Sequence, residues 1–153
     1  VLEYGKPIYV KDLDKEAQRH VGATVQGIIK EMYFKNEKHK QAFEAGIKKA
    51  NKKDKETLCL IYLLSADSCL WRRAKQSAGN RIIMLNSIKL TNISEDGYVF
   101  LGAAKDIKYG TKYLTLGDLT DRSLITQKVY QVLCQAMQLR RCGLLAMQNL
   151  RGD

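Results

Sequence analysis

Trp71-Arg72-Arg73, with Lys75 just beyond, is the stretch whose residue types come closest to a binding chemistry. An indole beside guanidinium groups can stack on a base or form a cation–π pair while its basic neighbours meet phosphates. The same residues also fit a core tryptophan edged by surface arginines, because tryptophan is highly buried on average. A second basic run, Lys48-Lys49-Ala50-Asn51-Lys52-Lys53-Asp54-Lys55, precedes it in the chain. Concentrated positive charge raises the local potential and attracts polyanions, phosphate backbones above all. The candidate phosphate contacts are therefore Lys48, Lys49, Lys52, Lys53, Arg72, Arg73 and Lys75, with Trp71 as the candidate stacking residue. Plain solvation is the competing reading of the same lysines, which face water by default.

Catalytic chemistry finds less to work with. The glycines are scattered, with neither a G-x-G-x-x-G pattern nor a phosphate loop ending in Lys-Ser or Lys-Thr, which argues against nucleotide hydrolysis. A serine or cysteine nucleophile needs a base, and nothing in the spacing brings His20 or His39, the two histidines, near Ser65, Ser68 or Cys69. The acidic residues are few and mostly at helix-cap positions, so a paired-carboxylate metal site has poor support. Cys59, Cys69, Cys134 and Cys142 show no Cys-x-x-Cys spacing, and a zinc site would have to gather ligands from distant parts of the chain. Structural thiols in a reduced, cytoplasmic protein are expected, with no enzyme activity, no metal and no cofactor.

The elements that must position the basic residues follow from the apolar pattern. Leu58 to Leu64 reads Leu-Cys-Leu-Ile-Tyr-Leu-Leu, a run that cannot face water, and it lies between the two basic runs. Asp54 caps it as a helix, and its apolar character all round predicts neighbours on more than one side. Asn36 caps a preceding helix with Phe43 and Ile47 inward and Lys38, Lys40 and Lys48 outward, and Asp67 caps a following one that carries Trp71. Asp118-Leu119-Thr120-Asp121 opens the clearest helix, in which Ile125, Val129, Val132, Ala136 and Leu139 step along one face until Gly143 stops it. Residues 80–117 admit two readings. Tyr98, Leu101, Ala104 and Ile107 before Gly110 fit a helix with a C-cap, while Tyr98–Leu101 and Lys112–Leu116 also allow a small antiparallel β element. The expected fold is mainly α, a single-domain helical bundle: an N-terminal extension with one helix over 1–31, a helical core over 32–143 and a tail over 144–153.

Charge supplies the strongest constraint on function. The chain of 153 residues has a formal net charge of +10, and the excess is uneven: four basic and four acidic residues over 1–29, nine against four over 30–55, four against none over 70–81. Its longest apolar run is too short to cross a bilayer, and its first residues lack the basic start and apolar stretch of a signal peptide, so no membrane partner is expected. The segment Met32-Tyr33-Phe34-Lys35-Asn36-Glu37-Lys38-His39-Lys40, then Phe43-Glu44, a polar turn and the apolar run, resembles small uncharacterised domain-of-unknown-function proteins of Gram-positive bacteria, their phages and conjugative elements. The resemblance covers about residues 32–75 and implies a mobile-element or phage origin, with no established activity attached. Two functions are carried forward. The first is a non-enzymatic accessory protein that binds DNA or RNA through the phosphate backbone, and the second is an inhibitor or adaptor that binds an acidic protein of a host defence or replication complex.

Overall fold

The computed structural model describes residues 27, 29, 32–51, 53–77 and 85–151. The one helix expected over 1–31, apart from Gly27 and Ile29, and Lys52 fall outside these residues. Within them the chain is a helical bundle built around the central apolar run.

Helix α1 spans Glu37–Ile47, and Asn36 caps it by accepting the His39 N–H at 2.8 Å. Its inward face is His39, Phe43 and Ile47, one residue every four, which is the spacing of a single helical stripe. Helix α2 spans Lys55–Ser65 behind Asp54, whose carboxylate accepts the Thr57 N–H at 3.1 Å and the Thr57 hydroxyl at 2.7 Å. Every residue from Leu58 to Ser65 is buried, so this helix has no solvent face over its last two turns. Helix α1 packs on it, as do three helices that come later in the chain. At ~1.5–3 kcal/mol for each large apolar side chain buried, this contact dominates the fold.

Helix α3, Ser68–Ser77, follows after a single turn at Ala66-Asp67; Asp67 Oδ1 accepts the Leu70 N–H at 2.9 Å. A short 3₁₀ turn at Leu85–Ser87 leads towards α4, Glu95–Tyr109. Ser94 caps α4 and also donates its hydroxyl to Asp67 Oδ2 at 2.7 Å, so one carboxylate ties the starts of two helices together. Gly110 ends α4 in the left-handed conformation (φ 71°), where a side chain would be strained.

Among the described residues no strand forms. Tyr98–Leu101 lies inside α4, and Lys112–Leu116 wraps around Asp106, whose carboxylate accepts the N–H groups of Tyr113 (2.8 Å) and Leu114 (2.9 Å) and the Thr111 hydroxyl (2.7 Å). That carboxylate satisfies the backbone locally, which removes the need for a partner strand. Tyr98, on the helical stripe read from the sequence, is 50% exposed; Phe100 is fully buried instead.

The long helix begins later than its acidic residues suggest. Thr115 and Asp118 form a reciprocal capping box on the short α5, Leu116–Leu119, and Asp121 then holds a turn through the Ser123 N–H and hydroxyl. Helix α6 runs Gln127–Arg151, with Thr126 O accepting the Tyr130 N–H at 2.9 Å. Ile125, Val129, Val132, Ala136 and Leu139 are buried, as their spacing predicts. At Gly143 (φ 73°, ψ 178°) the backbone leaves the helical region, and helix resumes beyond it. Gly143 therefore stops the first helical run, as the sequence predicts, and a second run follows it.

Candidate nucleic-acid interface

The sequence-derived basic residues fall into two groups joined by Trp71. The first group lies at the turn between α1 and α2, where Lys48, Lys49 and Lys53 are exposed and have no carboxylate partner among the described residues. Asp54 beside them is held below its usual 3.8 mainly by the Thr57 hydroxyl and N–H, with a smaller contribution from the positive charge of Arg140 on α6. Arg140 thus adds to this basic edge, and its remoteness in sequence hid it.

The second group lines a cleft of about 360 Å³ between the first turns of α1 and α3. Lys35, Lys38, Arg72 and Lys75 are on its walls, with Trp71 and Asp67. Lys35 is committed elsewhere, paired with Asp96 at 3.2 Å. Lys38, Arg72 and Lys75 have no carboxylate partner among the described residues; Lys75 Nζ sits 5.5 Å from the centroid of the Trp71 ring. Lys38, which the sequence places only on the outward face of α1, is missing from the candidate contacts because it is not part of a basic run.

Trp71 is half-buried, with part of its ring against α1. A Cβ placed on Gly46 would lie 3.0 and 3.1 Å from two carbons of its six-membered ring and 2.8 Å from Ile61 Cγ2. Lys38, Ala42 and Gly46 follow at four-residue spacing, so one face of α1 runs from the cleft past Trp71 towards Lys48 and Lys49. Arg73 does not join this strip. Its guanidinium donates to the Lys89 carbonyl and fastens the segment before α4 to α3.

The same cleft brings His39, Ser65 and Ser68 together, a grouping that their spacing in the chain does not suggest, but His39 is not free to act as a base. His39 is 1% exposed and both ring nitrogens are occupied: Nδ1 accepts the Lys35 N–H at 3.1 Å, which leaves the proton on Nε2 to be donated to the Tyr62 carbonyl at 2.8 Å. Ser65 donates its hydroxyl to that same carbonyl. Burial pulls His39 from 6.5 down to about 4, outweighing the opposing Tyr62 bond, so the ring is neutral and without a free lone pair at neutral pH. It serves instead as a peg in an aromatic cluster, 4.7 Å from the Tyr62 ring and 5.1 Å from Phe34. The cysteines are all free thiols, and burial pushes Cys59 up to about 12, where it stays protonated against the Ala136 carbonyl. No described helix is long and apolar enough to cross a membrane.

One other surface stands out. An apolar groove of about 150 Å³ between α4 and α6 is lined by Leu63, Ile107, Leu114, Leu133 and Met137, while Leu116 on α5 is 81% exposed. Compared with protein-family models, curated proteins and solved structures, the chain matches none of them.

Proposed function

We propose that this chain is a non-enzymatic nucleic-acid-binding protein that holds phosphates along the face formed by α1, α3 and the α1–α2 turn. The observation that carries this reading is the run of cations without carboxylate partners, Lys38, Arg72 and Lys75 in the cleft and Lys48, Lys49 and Lys53 beyond it, with the Trp71 ring between the two groups. Lys52 belongs to the proposal by its place in the sequence. A neighbouring carboxylate would neutralise these groups internally; left unpaired, they keep their charge for an outside anion and gain affinity from counterion release. The mobile-element or phage setting implied by the resemblance in residues 32–75 is part of the same proposal.

The test is fluorescence anisotropy with labelled duplex DNA, single-stranded DNA and RNA near physiological salt. Binding to at least one with little sequence dependence is expected; no binding to any of the three would overturn the reading. In that event the adaptor function takes its place. It draws on separate observations, the apolar groove between α4 and α6 and the exposed Leu116 on α5, which provide apolar contact area for a protein partner.

A further inference from the structure

We infer that the cleft between α1 and α3 is a pocket for a single nucleotide unit, which makes the protein a reader of unpaired strands. The inference rests on the nucleic-acid reading and adds to it a ligand and a place. At about 360 Å³ the cleft lies within the ~300–1,000 Å³ typical of small-molecule sites. A stacked base pair with both backbones is far too large for it. It combines the two features a nucleotide needs, cations for the phosphate in Lys38, Arg72 and Lys75 and an aromatic surface for the base in Trp71.

The remaining polar wall is compatible with that ligand. Asp67 is the carboxylate on the wall, and both its oxygens are already engaged, by the Leu70 N–H and the Ser94 hydroxyl. Lys35 is paired with Asp96, and His39 is neutral with both nitrogens used. Lys75 is the moving part: its ammonium now rests over the Trp71 ring, and an arriving phosphate would draw it off and leave that surface to a base. A base held within a duplex cannot reach this surface without being unstacked, whereas a base on a single strand is already free to turn in.

Trp71 is the single tryptophan of the chain, so its emission reports on this cleft alone. Labelled oligothymidylate, a labelled duplex and unlabelled adenosine monophosphate are titrated, with anisotropy following the polymers and tryptophan emission following the cleft. Oligothymidylate is expected to quench Trp71 as it binds, the duplex to bind without quenching, and Trp71→Leu to weaken the single strand by about 5- to 100-fold. The Arg72→Ala, Lys75→Ala double variant changes exposed positions and should lose the quenching even if Trp71→Leu fails to fold. If the polymers bind and Trp71 emission does not change, the pocket is overturned and the nucleic-acid reading stands. If adenosine monophosphate quenches Trp71 and no polymer binds, the pocket is upheld for free nucleotides and the polymer reading falls. If nothing binds, both are overturned.

Discussion

His39 shows how burial decides what a residue can do. The unfolded chain takes up a proton at this histidine near 6.5, the folded chain only near 4, so the folded state binds fewer protons in between. Its contribution to stability is complete above 6.5 and is lost as pH falls towards 4. At 1.36 kcal/mol per unit the loss is about 3 kcal/mol. Urea denaturation at pH 7 and pH 4.5 should show most of this drop, and His39→Gln should be less stable at pH 7 but flatter across the interval. A parent slope equal to that of His39→Gln would contradict the buried neutral ring. Asp54 does not blur the window, because its hydrogen bonds to Thr57 hold it below 3.8. Gly46 makes a second residue-scale test. A methyl there meets Ile61 and Trp71 at 2.8–3.1 Å, an overpacking cost of ~1–3 kcal/mol against a helix-propensity gain of ~1 kcal/mol. Gly46→Ala should therefore be less stable by ~1 kcal/mol and should alter Trp71 emission; a more stable variant would show that α1 and α3 are further apart.

Helix starts and ends were largely legible because their signals are local. Asn36, Asp54 and Asp67 each accept the N–H three residues on, as short polar side chains before an apolar run predict. The start of α6 was misjudged for the same reason: Thr115, Asp118, Asp121 and Thr126 are all credible caps, and only the folded chain distributes them between a capping box, a turn and the helix proper. The β-like look of Tyr98–Leu101 gave way to α4 because Ser94 and Gly110 close that helix at both ends. Asp67 is the junction where these elements can be tested together. Asp67→Ala removes the α3 cap and the partner of the Ser94 hydroxyl, so a loss of ~2 kcal/mol is expected, at the upper end of single-cap effects. Asp67→Ser should recover part of it by restoring the cap. A loss under ~0.5 kcal/mol in the alanine variant would mean that the two helix starts are held by packing alone.

At the scale of the whole molecule, the central position of α2 could be read from Leu58–Leu64, since seven apolar residues in a row have to be covered on all sides. The candidate interface was legible in part. Runs such as Lys48-Lys49 announce themselves, but Lys38 and Arg140 reach the same face only through folding, and Arg73 looks identical to Arg72 in sequence while being bound to the Lys89 carbonyl. As proposed, phosphates are held both in the cleft and at the α1–α2 turn, so the signature of this face is the salt dependence of binding. With about five phosphates neutralised together, log K on duplex DNA should fall with log salt at a slope of about −4 to −5. Replacing Lys48 and Lys49 with Ala should make that slope shallower by about 2, while replacing Arg73 should leave it unchanged. A slope near zero, or one indifferent to Lys48 and Lys49, would contradict a phosphate-binding role for this face.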